Sequence, residues 1–335
     1  MSSMIYKRCS LTAALASLFA CGLPAATTSP SAASVRSPDG SETPVGGAFA
    51  GQQDAFGVAE VYQTVSGGRE WYLPATADQA SSEWRPETAD VVKVSDGVFH
   101  TVGTSGEVRL NVLSPAGKAW WRDVEMTGYF RYTDDVATPD QLPHFELMAR
   151  TERHSSTAIL GTAINSGVAP PAGTRTWPGY PYGNVTINPH CLGTSYHGNF
   201  YPNEETVLFE KEVSHTGGYA SQRKEVPIQD WTTTPIGRWF GMKFVVRNSS
   251  DSTRVHMEIW VDSNASGTFT LLTEFDDSAG TWLAKSTTLD GCTAAPYGYT
   301  PGMLINWAGP WVIFRSDSMG IDFKSLSVRE IGPVP

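Results

Sequence analysis

No stretch of this chain stays apolar long enough to cross a bilayer as a helix, which takes about 20 residues; the one candidate run, Leu11 to Ala20, falls well short. Basic residues are also scarce. Lys and Arg number 24 against 34 Asp and Glu, a net charge of −10, so the basic footprint needed by nucleic acid or an anionic membrane is missing. A polysaccharide, even an acidic one held in a locally basic groove, remains open as a partner. No EF-hand, zinc-ligand spacing, phosphate loop or dinucleotide fingerprint occurs. The sequence therefore calls for no metal and no required cofactor, although Asp134-Asp135 or Asp276-Asp277 could contribute to a structural calcium site. No amphipathic helix of three turns can be drawn either, which excludes the helical fold classes.

Cysteine is sparse, and its placement is informative. Of four cysteines, Cys9 and Cys21 fall in an N-terminal export segment, which leaves Cys191 and Cys292 as the natural disulfide pair of an oxidising compartment. Residues 1–20 read as a signal peptide: Lys7 and Arg8, then the apolar run, then small residues. Without those two charges the mature net charge is −12, from −10 less 2. Leu18-Phe19-Ala20-Cys21-Gly22 resembles a lipoprotein box and makes Cys21 a lipidation candidate, with cleavage after Ala25 or Ala26 as the alternative. Residues 21–55, rich in Ser, Thr, Pro, Ala and Gly, read as a flexible tether. Residues 56–335 read as a single domain. The expectation is a secreted protein or cell-surface lipoprotein, extracytoplasmic and monomeric.

What the chain does contain is short alternating runs punctuated by turn residues. Gly and Pro, 32 and 22, are spread throughout. The pair Asp96-Gly97 between Val91–Val94 and Val98–Val102 is a hairpin signal. Many such runs predict an all-β sandwich or barrel. Four of them carry oil on one edge and charge, imidazole or indole on the other. In Arg254 to Asp262, Val255, Met257, Ile259 and Val261 oppose Arg254, His256, Glu258, Trp260 and Asp262. In Trp239 to Asn248, Phe240, Met242, Phe244 and Val246 oppose Trp239, Lys243 and Arg247. In His144 to Arg150, Phe145, Leu147 and Ala149 oppose His144, Glu146 and Arg150. In Val124 to Tyr132, Glu125, Tyr129 and Arg131 form the polar edge. These polar edges predict one ligand-gripping sheet face; a solvated face with cross-strand ion pairs is the competing reading. Eleven Trp and twelve Tyr suit flat, half-apolar ligands such as sugar rings.

Between Ala163 and Thr206 the alternation lapses into Gly, Pro, Tyr and Asn, which reads as a long functional loop. Tyr196, His197 and Tyr201 lie in it, and a Cys191–Cys292 bond would clamp it against a second loop, Asp290 to Met303, over one end of the sheet.

The hairpin Val255 to Phe275 and the closing strand Phe314 to Ile331 resemble the concanavalin A-like jelly-roll sandwiches, a group of lectins, laminin G-like modules, sandwich glucanases and polysaccharide lyases. The resemblance implies two antiparallel sheets, one concave and lined by glycan-binding residues. The segment His144 to Arg150 is loosely similar to the Arg- and Glu-bearing strand of alginate-lyase-like members, whose Gln-X-His and Tyr-Phe-Lys-Ala-Gly strands are absent.

Lyase chemistry on a uronate needs a cation to neutralise the carboxylate, a base and an acid. Arg150, Lys243 and Arg247 are the candidates for the first role; His197 or His144, with Tyr196 or Tyr201, are those for the others. Glu146, His256, Glu258 and Trp260 complete the expected groove. The expected activity is endo-acting β-elimination on a uronate-containing glycan. The alternatives are a glycoside hydrolase, with Glu146 and Glu258 as cross-strand carboxylates, or a non-catalytic glycan-binding module.

Overall fold

A computed structural model describes residues 51–75, 83–86, 92–101, 107–113, 120–133, 143–151, 191, 193–215, 217–228, 237–295 and 297–335. The signal segment, Cys21, most of the tether and Asp134-Asp135 lie outside these residues. The described part of the tether is ordered earlier than expected. Asp54 is buried, its Oδ1 accepts the Phe56 and Val58 amides, and its Oδ2 accepts Ser327 Oγ at 3.2 Å.

The strands are β1 (Glu70–Tyr72), β2 (Trp84–Pro86), β3 (Val92–Ser95), β4 (Val98–Thr101), β5 (Glu107–Leu113), β6 (Val124–Tyr132), β7 (His144–Thr151), β8 (Ser195–Tyr201), β9 (Thr206–Glu212), β10 (Arg223–Pro227), β11 (Trp239–Asn248), β12 (Arg254–Asp262), β13 (Thr270–Ser278), β14 (Trp311–Asp317) and β15 (Ile321–Glu330). They form two antiparallel sheets. The first runs β13-β12-β11-β6-β15-β4-β3, with β1 also on β15; the second runs β10-β9-β8-β7-β14-β5-β2. The chain passes repeatedly between them, so β14 and β15, consecutive in sequence, sit at the middle of opposite sheets. This is the all-β jelly-roll sandwich that the sequence implies. Among the described residues no helix is long and apolar enough to cross a membrane.

Strand pleating explains the core. Met242, Phe244 and Val246 of β11 and Met257 and Ile259 of β12 face Phe145, Leu147, Phe200, Phe209 and Phe314 of the second sheet, all buried. Rings interlock across the gap, with Phe130 and Phe145 centroids 3.9 Å apart and Phe200 and Phe240 4.8 Å apart. Gly198 permits this approach, because a Cβ there would stand 2.8 Å from the Phe244 ring. The β3–β4 turn is the expected hairpin, with φ of 53° at Asp96 and 74° at Gly97.

One ionic group interrupts the apolar core. Lys211 Nζ lies 2.8 Å from Asp277 Oδ2, and the Tyr196 hydroxyl donates to the same oxygen at 2.6 Å while accepting the Ile305 amide. Tyr196 is thus an interior inter-sheet contact and not the loop-borne site residue expected.

Candidate functional site

The four polar edges do not share one trough. Strands β6, β11 and β12 are neighbours in the first sheet, whereas β7 belongs to the second. Their polar side chains therefore cover opposite outer faces of the sandwich. Glu146 and Glu258 cannot act as a hydrolase pair for the same reason.

On the first sheet the polar face is consumed by a strap formed by residues 58–65. Glu125 accepts the Val61 and Tyr62 amides and pairs with Lys243 at 2.9 Å and Arg329 at 2.8 Å. Burial would lift its carboxyl, but those two cations hold it below the usual range. Arg247 stacks 3.8 Å above the Tyr62 ring and lies 3.7 Å from Glu258. Glu258 in turn accepts hydrogen bonds from Tyr62 Oη, His256 and the Trp260 indole. Lys243, Arg247, His256, Glu258 and Trp260 are therefore parts of one largely buried, charge-paired network beneath or beside the strap, and not a groove lining. Asp276 and Asp277, suggested for calcium, point to opposite faces. Asp276 is held by Arg254 and His256, and Asp277 by Lys211, so the pair does not fit a shared ion.

This network carries a pH signature. Burial pulls the His256 imidazole down, but hydrogen bonds to Asp276 and Glu258 outweigh it and leave the pKa at about 9. Glu274 across β13, Arg254 on its own strand and Arg247 across β11 complete its charged surroundings. A histidine raised above its unfolded value of 6.5 adds stability that is complete below pH 6.5 and lost as pH rises through 9. Urea unfolding of wild type and His256→Asn should differ by about 2–3 kcal/mol at pH 6 and converge by pH 10. A difference independent of pH would contradict this.

Arg150 departs from the β7 alternation. It occupies a bulge opposite β14 with φ of 58° and is fully buried. Its guanidinium donates to Arg122 O, Asn248 Oδ1, Ile305 O and Asp123 Oδ1. The guanidinium is thereby spent on tying β7 to the residues just before β6, to the end of β11 and to Ile305.

The second sheet's outer face is where several predicted residues do converge. His197 and Tyr201 lie on β8 and not in a loop, and alternate positions Ser195, His197, Asn199 and Tyr201 face outward. The register sets Asn199 beside Glu146, His197 beside Glu210, Glu146 beside Arg315 and His144 beside Asp317. His144 Nε2 is 2.6 Å from Glu146 Oε1 and 3.6 Å from Asp317 Oδ2, and its ring stacks on Tyr201 at 5.0 Å. His197 Nδ1 is 2.9 Å from Glu146 Oε2, and its Nε2 is hydrogen-bonded with Ser195 Oγ. Arg315 binds Asp317 through two nitrogens and reaches Glu107 at 3.0 Å and Glu146 at 3.7 Å.

The electrostatics follow from burial and pairing. Burial would raise Glu146, but Arg315 and His197 hold it well below the usual carboxylate range. Burial would lower His197, but Glu146 overcomes it and favours the imidazolium. Glu210 and Asp317 are pushed up by burial. Burial, with Glu210, raises the Tyr201 phenol, and burial, with Glu212, raises Tyr219. Both phenols stay protonated at neutral pH and serve as hydrogen-bonding groups, not as bases. Glu107, Glu146 and Asp317 surround Arg315, and Glu146, Glu210 and Glu212 surround His197.

Sequence reasoning missed Asn199, Glu210, Glu212, Arg315 and Asp317. The signal was present as alternation: Val207 and Phe209 against Glu210 and Glu212, and Val312 and Phe314 against Arg315 and Asp317. Ligand-capable atoms of His144, Glu146 and Asp317, and of Glu146, His197 and Glu210, lie within 4.8 Å of one another in each trio.

No family model matches the chain, and no curated protein matches it in sequence. Solved structures similar to it include the carbohydrate-binding module CBM66 from Bacillus subtilis, at 10% identity, covering 74% of this chain and 96% of the module, TM-score 0.37. A Bacillus subtilis protein of unknown function with a galectin-like fold aligns at 16% identity over 81% of this chain and 99% of its own, TM-score 0.40. Basic winged bean lectin with Tn-antigen aligns at 12% identity over 78% of this chain and 97% of its own, TM-score 0.39.

Proposed function

We propose that this is an exported glycan-binding protein, a monomeric sandwich on an N-terminal tether, which takes a neutral glycan on the outer face of its second sheet. The observation that carries the reading is the stacked His144–Tyr201 pair, its imidazole partly open to solvent, backed by the buried polar groups of Glu146, His197 and Asn199 from the same two strands. Rings and fixed hydrogen-bonding groups on one sheet face are what sugar recognition requires. The buried disulfide Cys191–Cys292 supports an extracytoplasmic location, secreted or lipid-anchored through Cys21.

A neutral ligand is favoured over a uronate by charge. Arg150, Lys243 and Arg247 are all committed elsewhere, and Arg315 is already held by carboxylates, so none of these four is left to receive a substrate carboxylate. An anionic sugar would also face a surplus of like charge. The second reading, β-elimination, draws support from His144 lying against the Tyr201 phenol, an acid–base pair in contact.

A polysaccharide panel separates the two. Retention of a neutral glycan, weakened about tenfold by Tyr201→Ala, without ultraviolet absorbance from unsaturated ends, is the expected result. Absorbance that appears with a uronate polymer and vanishes in His144→Ala would establish the lyase instead. Binding untouched by both substitutions would move the site elsewhere.

A further inference from the structure

The imidazole of His197 is clasped between carboxylates contributed by the strands on either side of it. Glu146 of β7 and Glu210 of β9 place Oε2 atoms 2.9 and 3.9 Å from His197 Nδ1. Three ligand atoms from three adjacent strands thus converge within 4.8 Å. Such a trio is built from rigid backbone and not from loops, so its geometry is fixed before any ligand arrives.

A metal ion would take the place of the proton that His197 Nδ1 directs at Glu146, and the rest of the ring's surroundings suit a ligating imidazole. The second ring nitrogen, Nε2, is hydrogen-bonded with Ser195 Oγ at 2.5 Å and lies 3.8 Å from Glu212 Oε2, so the ring is held with Nδ1 toward the two glutamates. A separate observation comes from Asn199. Its side chain is fully buried, its Nδ2 donates to Glu210 Oε2 at 3.0 Å, and its Oδ1 has no hydrogen-bond partner among the described residues. A buried amide oxygen without a donor is unfavourable unless a positive centre stands near it. Asn199 is opposite Glu146 in register and two residues from His197 on the same face, and its amide meets Glu210, so the side chain belongs to the same cluster.

We infer that Glu146, His197 and Glu210 form a binding site for one divalent transition-metal ion, with Asn199 Oδ1 as an additional oxygen donor. One imidazole nitrogen with carboxylate and amide oxygens suits zinc, manganese or cobalt, whereas calcium takes six to eight oxygens. The neighbouring trio of His144, Glu146 and Asp317 is the weaker candidate, because Arg315 already occupies both oxygens of Asp317. Spacing in the sequence conceals the site, since its ligands meet through sheet register and not through a local motif.

The test uses the full chain, stripped with a chelator and titrated with Zn2+ or Mn2+ by calorimetry and with Co2+ by visible absorbance. One equivalent should bind, with ligand-field bands for cobalt. Glu210→Gln should weaken zinc binding about tenfold and His197→Ala about 100-fold, while His256→Ala on the opposite face leaves it unchanged. If His197→Ala does not fold, Glu210→Gln, a conservative change at a partly exposed position, decides alone after its circular dichroism is matched to wild type. No binding at millimolar metal, equal binding in the variants, or calcium bound more tightly than all three metals would overturn the assignment. Metal and glycan are scored separately: zinc binding lost with glycan retention intact counts against this site's metal alone.

Discussion

Glu125→Ala should cost about 3–5 kcal/mol of stability, lowering the melting temperature by roughly 10 °C, and should free the N-terminal strap. The carboxylate is fully buried and bridges Lys243 and Arg329, themselves buried, and it also receives the strap's Val61 and Tyr62 amides. Removing it leaves Lys243 buried without its carboxylate, Arg329 with Glu60 alone, and two amides without their acceptor. Lys243→Met should cost less, because Glu125 keeps Arg329 and both amides while the methionine retains the contact with the Phe269 ring. Urea unfolding gives the order, and limited proteolysis within residues 55–65 reports the strap. Equal costs for the two variants, or a strap still protected in Glu125→Ala, would show that apolar packing of Val61, Tyr62, Val245 and Ile331 holds this face by itself.

Alternation alone presents this cluster as a ligand groove. Alternation in β11 and β12 reveals correctly which side chains leave the core, since Phe240 to Val246 and Val255 to Val261 pack inward as expected. Alternation does not reveal what lies on top of the outer face. The covering segment at residues 58–65 makes only isolated bridges and has no periodicity of its own. Sheet membership is equally hidden: β6 and β7 are consecutive in the chain and carry the same pattern, yet they belong to opposite sheets. Arg150 escaped because its φ of 58° belongs to a bulge set by pairing with β14, a long-range event. Strand β8 escaped for a local reason. Gly198, Asn199 and two tyrosines have turn-like composition, and only the packing of Phe244 against Gly198 turns them into a central strand. The fold class, the β3–β4 hairpin, the inward faces and the disulfide pairing were legible because each rests on local period or on counting cysteines. His144, Glu146, His197 and Tyr201 were legible by chemistry, but their acidic partners on β9 and β14 required the register.

Replacing Cys191 and Cys292 together by alanine should lower stability by roughly 4–5 kcal/mol, the chain-entropy value for a closed loop of this size, while leaving the second sheet's site intact. The two cysteines are 101 positions apart, and both are fully buried in a small cluster with Val213, Leu289, Tyr297 and Tyr299. This cluster is distinct from the main core and shares only the partly buried Met303 with it among the described residues, so it draws little packing from the sandwich when the link is cut. The Tyr299 hydroxyl donates to Cys191 O at 2.5 Å and would remain as the principal polar tie between the two segments. Strand β8 starts four residues after Cys191, but it pairs along its length with β9 and over most of it with β7. Its register is therefore set by the sheet and not by the disulfide, and the geometry of His197, Asn199 and Tyr201 should survive. Denaturant unfolding of the oxidised, reduced and alanine forms, with glycan retention measured well below each midpoint, tests both halves. A loss under about 1 kcal/mol would mean that the cluster already restricts the unfolded chain, and lost retention would mean that the link, not the ladder, positions the site.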